Sequence, residues 1–439
     1  MNNSSRASGI LKAWIVLFGV YVLTMPLMNF AAIPVLGHQV QFGDFLFIPL
    51  ALLSVYTWFK TRPELDLPLL LASGFVILSL LIALIPAGNL LKGFARLVIQ
   101  SYLIMLFWVS YLMARSIKNL RPVFLSGAWS TAVVVAGGIA GVILYYCGWK
   151  ELDDNLFLSS YGLALPRLPL PRLRSFTLGG EYLANFLIPG FFFLYYEFKT
   201  GNRFLRKKLI LFPVIAGFLL TDLLSLSQAF FLWIVPLLAW KTIFPGRKIA
   251  RWKTRAGATA IILIMIEVAL GSFYIISVHK PGQLQSAQSH SSRFGIKPNV
   301  RRLFWRAAIS EIKEHPVLGR GLDRLATGPL KLGDCPECDL AQGADAHNLI
   351  LNLWSTRGLP GMIGFLIFLA LVLVKSGRAA LKPSASLEIQ VLFAAAIGLI
   401  LTSFFVDIED FRHLYLCLGL LAGLSGRSAQ GAAGPRPCG

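Results

Sequence analysis

Residues 67–85 read LPLLLASGFVILSLLIALI, nineteen positions without one charged side chain. A helix that long reaches across the roughly 30 Å hydrocarbon core of a bilayer. The flanks differ in kind: Lys60, Arg62, Glu64 and Asp66 lie before it, Lys92 and Arg96 after it. Such runs recur along the 439-residue chain, at about 13–30, 42–59, 67–85, 94–113, 122–146, 182–198, 209–224, 229–244, 256–278, 359–374, 388–406 and 413–425. The pattern predicts an all-α polytopic membrane protein with about twelve transmembrane helices. Nine helices fill 1–278, a large loop follows at 279–358, three helices occupy 359–425, and a Gly/Ala/Pro-rich tail at 426–439 is expected to be disordered.

Composition agrees. Hydrophobic types make up 56% and charged types 14%, with a mean hydropathy of +0.67. A soluble domain carries about 25% charged residues, so a soluble enzyme, a disordered chain and a fibrous repeat are all excluded.

Lys and Arg number 41 against 21 Asp and Glu, a formal charge of +20. Such an excess often marks a nucleic-acid binder, but here position decides. Alternate loops, counted from the N-terminus, hold 23 of the cations, scattered over seven short segments. That is the positive-inside pattern, with both termini cytoplasmic, and it leaves no nucleic-acid surface. The first apolar run is too long for a cleaved signal and reads as an uncleaved helix. Of the 18 outside cations, four (Lys150, Arg167, Arg172, Arg174) lie in 147–180 and ten in 279–345. Long outer loops are exempt from the topology rule, so these cations predict an anionic partner at the outer membrane surface.

The large loop holds the chemistry. Its segment NVRRLFWRAAISEIKEH (299–315) has helical periodicity between Pro298 and Pro316. Trp305, Ala308 and Ile312 fall on one stripe with Phe304 beside it, while Arg302, Arg306 and Lys313 share another face. The helix is amphipathic and is expected to lie on the membrane surface or on the bundle. Arg301 sits inside the apolar stripe, where a guanidinium is costly unless it meets an anion; snorkelling or a salt bridge is the bland alternative. The turn HPVLGRG (315–321) follows, whose N–H groups could form a weak anion nest. In ADAHNLILNLW (344–354), His347 precedes an apolar helix and shares a face with Ile350, Leu351 and Trp354. Histidine is the side chain best suited to move a proton near neutral pH, and Asp345 or Asn348 could orient it. A structural interfacial histidine is the competing reading.

Two smaller sites lie on the same side. Glu181, at the start of the sixth span, either favours the helix dipole, orients an acceptor or pairs with an arginine. The hairpin TDLLSLSQ (221–228) offers Asp222 and Gln228. Among the five cysteines, Cys147 and Cys417 read as packing residues, and Cys335 and Cys338 as a local disulfide in an oxidising compartment rather than half a zinc site.

These residues resemble the O-antigen ligase and polysaccharide polymerase superfamily of bacterial inner-membrane glycosyltransferases. The likeness rests on Arg301, Trp305, Ile312 and Pro316-Val-Leu-Gly-Arg-Gly321, then His347-Asn348, then Gly358-Leu-Pro-Gly361 entering a helix; Arg174, Glu181 and Asn185 form a softer second feature. The resemblance implies a GT-C-like architecture. It also implies transfer of a glycan from undecaprenyl diphosphate to a hydroxyl, on another glycan or on lipid A-core, at the periplasmic face, with no metal and no cofactor. Arg301 would then hold the diphosphate and His347 would be the catalytic histidine, with Glu181 as runner-up. Ligases often carry Ser-Arg where this chain has Ser227-Gln228, so another cation, Arg174 or Arg293, must substitute; Arg302 and Gln228 complete the expected substrate contacts. A polytopic transporter or lipid-linked oligosaccharide flippase, and a non-catalytic export scaffold, are the alternatives. Against carriers, the long loop lies outside after span nine, and the spans are nearly free of charge.

Overall fold

The computed structural model describes residues 3–28, 33–35, 38–148, 157–163, 170–201, 208–225, 227, 274–276, 278–279, 296–298, 301–324, 345–404 and 406–432. Seven helices come first: α1 (Asn3–Thr24), α2 (Phe42–Thr61), α3 (Leu67–Ile82), α4 (Leu90–Ser116), α5 (Arg121–Tyr146), α6 (Gly180–Thr200) and α7 (Lys208–Leu224). Four more follow: α8 (Arg301–Glu314), α9 (Leu349–Ala380), α10 (Leu387–Thr402) and α11 (Arg412–Ala432). Among the described residues, helices stand at ten of the twelve expected spans. By length and composition α2, α4, α5 and α9 can each cross a membrane, with α3 and α10 and the stretches Gly9–Thr24 and Pro213–Leu224 as shorter apolar helices. The expected eighth span lies outside the described residues. So does most of the ninth.

Three details depart from the expectation. Short antiparallel strands interrupt the all-α pattern: β1 (Ile33–Val35) pairs with β2 (His38–Val40), and β3 (Leu158–Leu163) lies between β4 (Leu170–Leu173) and β6 (Val278–His279). A third pair, β5 (Tyr274–Ile276) with β7 (Ile296–Pro298), replaces the end of the expected ninth span; its Tyr-Ile-Ile sequence suits a strand as well as an apolar helix. The last helix continues through Gly426 to Ala432, into the tail expected to lack structure.

Small residues let the helices close up. On α11, Gly419 and Gly423 lie one helical turn apart against the backbone carbonyls of Phe107 and Tyr111 on α4, where a Cβ would not fit. The contacts also sort the loops. At one end Lys375 meets Asp66 at 2.5 Å, Tyr196 donates to Glu388, and Arg115 and Tyr111 donate to the Glu64 carbonyl. At the other end Arg412 meets Asp44 at 2.7 Å, the Asn89 N–H donates to Asp323, Arg96 meets Glu409 and the Leu349 N–H donates to the Ser403 carbonyl. The loops read from sequence as lying on one side thus gather at one end of the bundle.

Candidate functional site

The site forms where α8 lies against the start of α9. Ala308 of α8 is buried against Ala346 and packs with Leu351. That contact carries the first turn of α8 to the residues before α9, and the Phe304 ring comes to 5.5 Å from the His347 ring. Arg302, Arg306 and Lys313 are exposed, as the helical face predicts, whereas Ala307, Ala308 and Ile312 are buried.

His347 does not reach the site through a helical face. Asn348 is the N-cap of α9, its side chain accepting from the Ile350 and Leu351 N–H groups, and His347 precedes it with φ 48°. This left-handed backbone is uncommon for a residue with a Cβ and costs energy. Asn348 therefore caps the helix.

Around His347 stand Glu181, Arg301 and Arg172. Glu181 opens α6 and pairs with Arg172 at 3.6 Å; Arg172 Nε also donates to the Ser225 carbonyl at 2.9 Å. Gly180 is required here, since a Cβ would overlap the Ser225 carbonyl and the Arg172 side chain. Burial pushes the imidazole of His347 below its usual value; Glu181 opposes this, and Arg301 and Arg172 reinforce it. Burial likewise pushes Arg301 down to about 10, against Glu181 and with Arg172, which leaves it cationic at neutral pH. The pocket joins one carboxylate, two guanidiniums and a neutral imidazole. Of Arg172-Leu-Arg174 it is thus Arg172, at the strand end, that joins Glu181. The Arg174 backbone instead forms the next turn, its N–H donating to Phe157 and its carbonyl accepting from Thr177.

A second group lies beside the first and was missed in the sequence. The loop SFFVDIEDF (403–411), between α10 and α11, buries Glu409, half-buries Asp407 and leaves Asp410 exposed at its edge. Glu409 takes Arg357 in an ion pair with both side chains 1% exposed, Arg96 at 3.2 Å and Asn352 at 3.2 Å, while its carbonyl accepts from Tyr415. Asn352 also donates to Asp407, and Gln100 to Asp410. Asp345 faces this group: burial raises it to about 6, against Arg96 and with Asp410, Glu409 and Glu181. Asp407 is held well above the carboxylate range by burial, then by Glu409, Asp410 and Asp345. The sequence signal was available, as three acids in four positions between two apolar spans of an acid-poor chain.

The motif 315–321 is a splint rather than an anion nest. The α9 backbone breaks at Gly358 (φ 68°, ψ −173°). The Arg320 and Gly321 N–H groups donate to the Ser355 and Thr356 carbonyls before the break, and the Leu359 N–H after it donates to the Pro316 and Val317 carbonyls. Trp354 Nε1 donates to the Pro316 carbonyl at 2.9 Å, and Glu311 and Arg320 pair at 2.9 Å. Of the turn's N–H groups, Arg320 and Gly321 are committed to α9 and Gly319 to the His315 carbonyl. The break also explains why the apolar run reads as beginning at residue 359, though the helix begins at Leu349.

Of the expected site residues, the structure brings Arg301, His347 and Glu181 together and adds Arg172. Arg302 is exposed on α8. Arg293, Gln228, Cys335 and Cys338 lie outside the described residues. Asp222 is buried in the last turn of α7, its carbonyl accepting from Ser225 Oγ. Glu311, Glu314 and His315 bring potential metal-ligand atoms within 4.8 Å of one another, but at the end of α8 opposite Arg301.

Residues 209–366 match the family described as O-antigen ligase. The match includes α8, His347 and the break in α9, and bears out the resemblance read from the sequence. No curated protein matches the chain.

Proposed function

We propose that this membrane protein, with its O-antigen ligase region, is a glycosyltransferase that moves a glycan from undecaprenyl diphosphate to a hydroxyl acceptor at the periplasmic face of the bacterial inner membrane. The observation that carries the reading is the convergence of Arg301, Arg172, Glu181 and His347 at the end of the bundle that gathers the alternate loops. A diphosphate is already a good leaving group, so the protein has mainly to hold its charge. Guanidiniums do so in bidentate fashion without losing their proton, and charge that develops on the leaving oxygen is stabilised by the same groups.

In this reading Arg301 and Arg172 hold the diphosphate, and Arg174 remains a substrate contact beside them. Arg293, Arg302 and Gln228 remain further substrate contacts. His347, neutral because it is buried between two arginines, takes the proton of the acceptor hydroxyl. Glu181 sets the charge and orientation of the pair. The polyprenyl tail lies along the apolar helices among membrane lipids. Charge neutralisation by two arginines is consistent with transfer that needs no metal or cofactor. The acceptor is lipid A-core in a ligase and another glycan in a polymerase. The organisation into 1–278, 279–358 and 359–425, with cytoplasmic termini, belongs to the same proposal.

The test is deletion of the gene followed by a surface-glycan gel. Loss of all long chains from lipid A-core, with lipid-linked polymer accumulating, means ligase. A product of single repeats means polymerase. An unchanged glycan profile sinks both.

A further inference from the structure

The turn 315–324 after α8 faces two ways. One side splints the break in α9, and the other holds the loop between α3 and α4. The Leu322 N–H donates to the Ala83 carbonyl at 3.2 Å, and the Asn89 N–H donates to Asp323 at 2.8 Å. Gly321 (φ 105°) lies so close to the Ala87 backbone that a Cβ would overlap it. The Arg324 guanidinium rests on Gly88, 3.0 Å from where a Cβ would stand. Lys92 stands in the first turn of α4, its N–H donating to the side chain of the N-cap Asn89 at 3.0 Å.

The level of this junction in the membrane follows from α9. From Leu359, just past the break, sixteen uncharged residues lead to Lys375, which meets Asp66 at the opposite end of the bundle. At 1.5 Å per residue they rise about 24 Å, most of the hydrocarbon thickness of a bilayer. Leu359 therefore lies near the edge of the hydrocarbon, and its N–H bond to the Val317 carbonyl places the turn there too. The side chains agree: Val317 is 59% exposed, and across the junction Ile85 is 72% and Leu90 67% exposed. Apolar side chains turned outward at this level meet lipid. The charges beside them are mostly positive. On the segments 83–94 and 313–324, Lys92, Lys313 and Arg324 are exposed, as is Glu314, while Asp323 is taken up by Asn89 and Arg320 by Glu311. Arg301 stands at the far end of α8, about 20 Å away along the helix axis, so these cations are separate from the transfer pocket.

We propose that an anionic phospholipid occupies this junction, in the leaflet at the pocket's end of the bundle. Its headgroup phosphate lies between Lys92 and Arg324, and its chains lie against Ile85, Leu90 and Val317. Cations beside outward apolar side chains at the edge of the hydrocarbon are the chemistry that selects a charged lipid over a zwitterionic one. Both cations belong to segments that the junction joins, Lys92 to α4 and Arg324 to the turn. A lipid that bridges them stabilises the joined arrangement by mass action and steadies the splint on which the end of α8 and both halves of α9 rest. Under the glycan-transfer reading, on which this consequence depends, the lipid lowers KM for the donor by fixing the helix that carries Arg301.

The experiment uses the full chain in nanodiscs of phosphatidylcholine, with and without phosphatidylglycerol. Binding is read with a photoactivatable phosphatidylglycerol whose label is mapped by mass spectrometry. Label is expected on 83–94 and 313–324, with unlabelled phosphatidylglycerol competing about tenfold better than phosphatidylcholine, the advantage that two nearby cations give. Lys92→Gln with Arg324→Gln should bring that ratio to about one, while melting in phosphatidylcholine stays that of the wild type. Lys92→Arg with Arg324→Lys should keep it. Equal competition by phosphatidylcholine in the wild type overturns the proposal, and so does a ratio that survives in the neutral pair. Lipid-linked glycan from the deletion strain that displaces the label as well as phosphatidylglycerol does also overturns it, because the cations then belong to the donor's path. In transfer assays, phosphatidylglycerol should lower KM for the donor severalfold in the wild type and leave it unchanged in the neutral pair. An equal fall in both overturns the link from this junction to α8. If the wild type transfers nothing in either lipid, the glycan-transfer reading fails and the labelling alone decides the lipid site.

Discussion

The two charged groups at this end of the bundle meet at the start of α9 and are built in opposite ways. The Arg301–Arg172–Glu181–His347 pocket has a surplus of positive charge, draws on three separate segments and is held by a 3.6 Å ion pair whose side chains keep 18% and 27% of their exposure. The Glu409 group sets its carboxylates against Arg96 and Arg357 and is closed by interlocking bonds from α4, α9 and α11. The first is arranged to receive an anion that the chain does not supply. The second uses its charge on itself and fixes the helix that presents His347. A single arginine on α9, Arg357, ties that frame to the break at Gly358, so the rigid group and the receptive one share a backbone.

The largest effect should come from the receptive group. His347→Ala is expected to lower the rate of glycan transfer by about 10²- to 10⁴-fold, the usual contribution of a positioned proton acceptor, while melting in detergent stays near the wild type. Arg301→Ala should cost a similar factor and weaken donor binding as well. Transfer that survives either change removes that residue from the mechanism. The contrast lies in the unchanged stability: these side chains serve a ligand, and the fold does not need them.

The frame should behave in the reverse way. Arg357→Ala leaves Glu409 buried without its closest cation, and removing one partner of a buried pair typically costs about 3–5 kcal/mol. Thermal melting of the purified protein measures this, with a lowered midpoint expected. Transfer per folded molecule should fall less than in His347→Ala. If Arg357→Ala melts like the wild type, the Glu409 group is not the frame described above, and the comparison fails at its base.

How much of this was legible differs between the two groups for a physical reason. Arg301 announces itself because a cation in the apolar stripe of a short helix breaks a local pattern, and His347 and Glu181 sit at helix starts. The spans were legible because nineteen uncharged, mostly apolar residues in a row have few other uses. Arg96 and Arg357 break no local pattern, and the three acids at 407–410 mark a place without naming their partners. Arg96 and Arg357 each sit at the end of an apolar run, where a charge is ordinary, and Arg96 and Glu409 are 313 residues apart in sequence. Their meaning is in the pairing, which only the packing of α4, α9 and α11 creates. The choice of Arg172 over Arg174 was hidden in the same way, since a tight turn at Ser175 (φ 50°) follows the strand and fixes which guanidinium reaches Glu181.

The smallest effect tests the link between the groups. Gly358 occupies a backbone region that is essentially reserved for glycine, and a Cβ there would overlap the Val317 carbonyl. Gly358→Ala should therefore cost about 1–3 kcal/mol of stability, less than Arg357→Ala, because the ion pairs remain. Yet the splint at 315–321 would have to move, and with it the end of α8 and the half of α9 that begins beside His347. If that splint couples the two groups, transfer in Gly358→Ala falls by more than the lost stability explains, with KM for the donor rising as Arg301 shifts. If stability falls and transfer per folded molecule does not, the two groups are held independently and α9 is two helices that happen to touch.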